Sequence, residues 1–206
     1  MHNYTVLAQD IEDFIASHSL PSPVLIGHSM GAKAAMTVGL HNKVPISALV
    51  SVDNAPVDAA LKSDFAAYVR GMNAITAAKI TKQSEADAIL AEYESSLPIR
   101  QFLLTNLARD KSDGVQKWRV PVDTLGKSLD HMADFPFKDP EDARFEGRTL
   151  FVRGTKSHYV SDEALPVIGR FFPKFTVVDV ECGHWVISEK PEEFRRAVVE
   201  FLQDTD

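Results

Sequence analysis

The sequence predicts an α/β fold, a parallel sheet with crossover helices and a helical insertion between two of its strands. Three observations carry the prediction. Short apolar runs at 24–26 (VLI), 46–52 (ISALVSV), 149–152 (TLFV) and 175–180 (FTVVDV) have the β-branched character of strands buried on both faces. Helical patterns separate them, as strand, helix, strand units require. From about residue 58 to 143 the strand signal stops and only helical patterns follow one another. The expected organisation is therefore a sheet domain over 1–57 and 144–206 interrupted by a helical cap over 58–143.

The elements follow in order. Residues 4–18 place Tyr4, Leu7, Ile11, Phe14 and Ile15 at helical spacing with acidic and amide residues opposite, and Leu20-Pro21-Ser22-Pro23 stops that helix. Val24-Leu25-Ile26 is the first strand, residues 30–41 a helix, and Ile46–Val52 a second strand that ends in the turn signal Asp53-Asn54-Ala55-Pro56. The insertion reads as four helices, SDFAAYVRGMNAI, QSEADAILAEYESS, IRQFLLTNLA and VDTLGKSLDHMA. Strand Thr149–Val152, a helix around Glu163–Phe171, strand Phe175–Val180 and a last helix opened by Pro191 complete the chain. In that helix Phe194, Val198 and Phe201 form one apolar stripe.

Composition narrows the function. With 206 residues and 45% hydrophobic content, the chain can bury a sizeable core. Its net charge of −7 is spread along the sequence, which disfavours nucleic acid or an anionic membrane surface as partner. Cys182 is the single cysteine, so no internal disulfide forms and a cysteine zinc site lacks its ligands. No cofactor or metal is expected. No apolar run approaches the length of a membrane span, and MHNYTVLAQDIEDF reads as neither a secretory signal nor a mitochondrial presequence.

The chemistry centres on Gly27-His28-Ser29-Met30-Gly31, placed where a strand becomes a helix. A serine hydroxyl is a weak nucleophile and needs both a base and donors for the oxyanion it creates. A sharp strand-to-helix turn exposes the hydroxyl at the sheet's C-terminal edge and aims the N–H of the next residue, Met30, at that oxyanion. Gly31 and Ala32 are expected to keep helix and strand close. The competing reading is a serine that caps a helix. The base is expected on a late loop after a strand, where Glu181-Cys182-Gly183-His184-Trp185 supplies His184; His158 is its one rival. Cys182 reads as a small buried side chain. For the acid, Asp53 at the end of the second strand is preferred and Asp162 held in reserve, while an Asx-turn role for Asp53 stays open. Where an aspartate often follows the strand after the cap, this chain has Ser157. Met30, His28 and Ser157 make up the expected oxyanion and substrate-binding surround.

The segments GHSMG, SVDNAPVD, SDFAAYVRGM, IRQFLLTNL, FVRGTKSHYV and GHW resemble the α/β-hydrolases of the mitochondrial abhydrolase-domain group that includes the yeast ethanol acetyltransferases, over essentially the whole chain. The resemblance implies a triad of Ser29, Asp53 and His184, attack on a small acyl ester or thioester, transfer of the acyl group to water or to an alcohol, and a mitochondrial location. Family members begin with further strands and a loop that supplies a second oxyanion donor. On the order of 60 to 90 residues of such fold are expected to be missing here, so the chain reads as a truncated gene model, a shortened isoform or a fragment. Its elbow strand would then be an uncovered sheet edge open to a partner. The alternative function is accordingly a non-catalytic hydrolase fragment that serves as a binding module.

Overall fold

The computed structural model describes residues 2–58 and 64–204. Ser63, expected to open the first inserted helix, lies outside them. In chain order the first elements are α1 (Tyr4–Ser17), β1 (Val24–His28), α2 (Met30–His41) and β2 (Ala48–Val52). Then come α3 (Asp64–Ala78), α4 (Gln83–Leu90), α5 (Leu97–Leu104), β3 (Leu107–Arg109), β4 (Gln116–Trp118), α6 (Val122–Lys127) and α7 (Leu129–Ala133). The last are β5 (Arg148–Gly154), α8 (Leu165–Phe171), β6 (Phe175–Val180), α9 (Val186–Glu189) and α10 (Pro191–Gln203). The chain divides into two compact units, one of Asn3–Ala59 with Asp134–Asp206 and one of Ala60–Ala133 with the extreme N-terminus.

The first unit is built on a four-stranded parallel sheet in the order β1-β2-β5-β6. Successive residues of a strand point to opposite faces, and the core follows that alternation. Leu49 and Phe151 pack with Ala32, Ala35, Met36 and Leu40 of α2 and with Ile168 and Phe171 of α8. Val50, Val52, Leu150 and Val152 pack on the other face with Val186 and with Ala197 and Val198 of α10, where Phe194 and Phe201 add the expected stripe. Burial of both faces is why these strands read as continuous apolar runs. Cys182 is buried in the second of these clusters, and burial raises its thiol pKa.

The unit resumes at Asp134, ten residues before the expected boundary at 144, because Phe135 belongs to its core and Phe137 packs against that core. The buried stripe of α1 also differs from the expected one. It runs Tyr4, Ala8, Glu12, Ile15, while Phe14 is exposed and stacks on His18. A buried glutamate is tolerable there because His41 meets its Oε1 at 2.6 Å and Lys43 lies 3.4 Å from Oε2.

The second unit is not all helix. Leu107–Arg109 and Gln116–Trp118 pair as an antiparallel hairpin, closed by Asp110, whose Oδ1 accepts from the Ser112 N–H and hydroxyl, and by Gly114 at φ +74°. Strands of three residues are too short to display alternation. Its core is Ile75, Ala86, Leu90, Leu104 and Leu107. The expected helix over VDTLGKSLDHMA is two short ones, α6 and α7. Among the described residues no helix is long and apolar enough to cross a membrane.

Candidate active site

β1 and β2 end in register, with His28 opposite Val52, and the next residue of each strand is a polar one of the predicted set. Ser29 N–H donates to the Val52 carbonyl at 3.0 Å, and Asp53 N–H donates to the Val152 carbonyl at 2.8 Å. Each residue extends the ladder by one bond and then leaves it with positive φ, 56° at Ser29 and 50° at Asp53. Such backbone costs on the order of 1 to 3 kcal/mol and persists only where its surroundings enforce it.

At Ser29 the enforcement comes from close packing. A Cβ on Gly27 would lie 2.2 Å from the Gly31 carbonyl oxygen, so only glycine lets α2 leave the strand at this angle. Gly31, by contrast, has nothing within 4 Å of a built Cβ; the close approach is made by its carbonyl, and a side chain there would point into open space. Asn54 Nδ2 donates to the Ser29 carbonyl at 3.0 Å, and its Oδ1 accepts from Ala55 N–H at 2.9 Å.

His184 arrives on the loop between β6 and α9. Its Nδ1 lies 2.7 Å from Asp53 Oδ2 and its Nε2 2.9 Å from Ser29 Oγ. The proton positions follow from the partners. A carboxylate only accepts, so Nδ1 carries the hydrogen; in the neutral ring Nε2 is then the acceptor, and the Ser29 hydroxyl donates to it. Asp53 is wholly buried. Its Oδ1 accepts the Gly154 N–H at 3.0 Å, and its Oδ2 accepts the Ser157 hydroxyl as well as the imidazole. Three donors on one buried carboxylate are what make an ionised group tenable there.

The remaining expected residues fall as follows. Met30 is the first residue of α2, and the first N–H groups of a helix have no intrahelical acceptor. His28 Nε2 donates to the His184 carbonyl at 2.8 Å, with ring centroids 4.8 Å apart. Burial lowers its pKa, partly offset by that hydrogen bond. Ser157 serves Asp53, and its oxygen also accepts Tyr159 N–H at 3.3 Å. Asp162 is paired with Arg153 at 2.6 Å and His158 is exposed, so neither is joined to this cluster by a hydrogen bond.

Several residues that hold the site were not singled out from sequence. Glu189 braces the histidine loop by accepting Gly183 N–H at 3.0 Å and Trp185 N–H at 3.3 Å. Gly154 lets β5 pass under that loop, since a Cβ there would lie 2.1 Å from the Gly183 carbonyl oxygen. Asn54 was visible only as part of a turn signal. Its amide partner lies 25 positions away, beyond what spacing alone conveys.

Residues 1–191 match the model of the family described as alpha/beta hydrolase fold. The chain belongs to that family. An abhydrolase domain-containing protein of Schizosaccharomyces pombe is 40% identical over 98% of this chain and 75% of its own length. A probable alcohol acetyltransferase of Saccharomyces cerevisiae is 39% identical over 98% of the chain and 64% of its own. The sn-1-specific diacylglycerol lipase ABHD11 of Mus musculus is 36% identical over 97% and 65%. The chain thus spans about two thirds to three quarters of the length of these relatives. A solved structure described as a marine microorganism esterase superposes with a TM-score of 0.89 at 27% identity, over 98% of this chain and 78% of that one. The expected hydrolase fold and kinship are therefore met, and two of these relatives and the solved structure carry names of ester chemistry, acetyltransferase, lipase and esterase. Ser29 thus sits at the turn from β1 into α2, and the loop after β6 carries the His184 imidazole to it.

Proposed function

We propose that the whole protein is a serine-dependent hydrolase of carboxylic esters or thioesters, with Ser29 as nucleophile, His184 as general base and Asp53 as the acid that orients it. The observation that carries this reading is the unbroken relay from Ser29 Oγ to His184 Nε2 and from Nδ1 to Asp53 Oδ2, at 2.9 and 2.7 Å. Ser29 Oγ attacks the acyl carbon while Nε2 takes its proton. Asp53 holds the resulting imidazolium, and Met30 N–H faces the oxyanion. Collapse expels the alkoxide or thiolate, which receives the proton from Nε2. A second nucleophile, deprotonated in turn by His184 Nε2, then attacks the acyl-serine, and as the acyl–Oγ bond breaks the imidazolium delivers that proton to Ser29 Oγ and the acid or ester is released.

If that nucleophile is water, the protein is an esterase or lipase; if it is an alcohol, it is an acyltransferase. Relatives named for each activity support both outcomes for one acyl-enzyme. Fluorophosphonate labelling of the full-length protein tests the nucleophile. Labelling is expected to vanish in Ser29→Ala and to fall by about 10⁴-fold or more in His184→Ala, and a Ser29→Ala protein that still labels would overturn the assignment. Turnover of a p-nitrophenyl ester with increasing ethanol, with product acid and ethyl ester measured separately, reads the partition.

A further inference from the structure

Beyond its two hydrogen bonds, the His184 ring is fixed by a neighbour that the proposed mechanism does not use. Tyr159 lies with its ring centroid 4.2 Å from that of His184, at an interplanar angle of 31°. Both edges of the imidazole that bear nitrogen are committed, one to Asp53 and one to Ser29. Centroids this close, with the rings tilted by 31°, bring the Tyr159 ring against the face of the imidazole and not against either of its nitrogen-bearing edges. Of the other aromatic neighbours, His28 has a similar tilt, 36°, but lies farther away, at 4.8 Å, and is itself an imidazole, and Trp185 meets the ring edge-on at 5.6 Å and 64°. Tyr159 is itself tied to the acid, because its N–H donates to the Ser157 oxygen whose hydroxyl donates to Asp53.

We propose that Tyr159 is a positioning residue for the general base, holding the His184 ring in the plane that reaches Ser29 and Asp53 and stabilising the imidazolium through its aromatic face. This rests on the reading of His184 as base. When Nε2 takes the serine proton, the ring gains a full positive charge. An aromatic face at stacking distance attracts that charge through its quadrupole, more strongly where water is excluded. The neutral ring of the ground state gains much less, so the contact lowers the barrier more than it improves substrate binding. The phenol hydroxyl has no part in this account. Phenylalanine should serve as well, while an aliphatic residue of similar bulk should fill the space and lose the effect.

The test compares Tyr159→Phe, Tyr159→Leu and Tyr159→Met in the full-length protein on p-nitrophenyl acetate. In the Leu and Met variants kcat is expected to fall by about 3- to 30-fold with KM within twofold of the parent, and Phe to restore kcat to within twofold. Aliphatic variants as fast as the parent, or a Phe variant as slow as Leu, would overturn the proposal. A second measurement needs neither activity nor a substitution at Tyr159. In the Ser29→Ala protein, NMR should show nuclear Overhauser contacts between the Tyr159 and His184 ring protons, and their absence would also overturn it. Should His184→Ala instead retain parental turnover, the general-base reading fails, and the ring contact would still be detected by NMR.

Discussion

The hydroxyl of Ser157 is hydrogen-bonded to Oδ2 of Asp53, the same carboxylate oxygen that accepts the His184 imidazole. The two residues are 104 positions apart in sequence and come together where β2 and β5 end side by side. Ser157→Ala would leave Asp53 with the Gly154 N–H and the imidazole as its donors. A hydrogen bond to a charged group contributes about 1.5 to 3 kcal/mol, and part of that will be felt as looser control of the imidazole. The expected result is a roughly tenfold fall in kcat with little change in KM, largely avoided in Ser157→Thr. Steady-state kinetics on a soluble ester check it.

Gly154→Ala tests the passage of β5 beneath the histidine loop. The added methyl would meet the Gly183 carbonyl oxygen at 2.1 Å, and backbone rather than a flexible side chain must give way. The loop is expected to move with its imidazole, lowering kcat by about 10²-fold while the sheet stays intact. Circular dichroism and turnover together read this outcome, and an unchanged kcat would contradict the packing argument.

Asn54 tests what holds the elbow in its positive-φ turn. Asn54→Ala removes the donor to the part-buried Ser29 carbonyl and the acceptor for the buried Ala55 N–H. A stability loss of about 1 to 3 kcal/mol is expected in denaturant unfolding. Asn54→Asp keeps the acceptor and loses the donor, so it should recover only part of the loss.

Lys33 supplies a pH dependence. It is 1% exposed on α2, over the Tyr4 ring at 5.5 Å, with Nζ 3.4 Å from the Asp134 carbonyl. Burial pulls its pKa from 10.5 to about 8, against the opposing pull of Asp58 and Asp134. Below pH 8 both folded and unfolded chains carry this proton, and the cost of burying the charge is fully present. Between 8 and 10.5 the unfolded chain binds more protons, so stability rises with pH, by up to about 3 kcal/mol. Unfolding measured from pH 7.5 to 10 should show this rise in the parent and not in Lys33→Met.

Residues whose roles depend on local pattern were legible in the sequence. The strand before Ser29, the strand end at Asp53 and the late loop at His184 each announce themselves by an apolar run followed by a polar turn, and the sheet brings such ends to one rim. Ser157 was legible as a departure from a common acid position, though its partner was not. Tyr159 and Glu189 stay hidden because nothing in their immediate neighbours marks them, and the turn signal that contains Asn54 does not reveal its distant partner. In α1 the helical period is plain in the sequence, but hydrophobicity alone points to a different buried face. It misses Glu12, whose burial is supported by His41 from another helix. The β3–β4 hairpin is shorter than any period that could reveal it.

Ser29 and Asp53 are both anchored in hydrogen-bonded sheet, each by a main-chain bond to the adjoining strand, whereas the His184 imidazole between them rides on a connecting segment clasped by Lys156 and Glu189. Their mutual spacing is thus as stiff as the lattice of strands, and His184 is the adjustable member. On warming, the catalytic alignment should fail at that clasp before the sheet melts, so heat inactivation is expected to precede loss of the circular dichroism signal and to reverse on cooling.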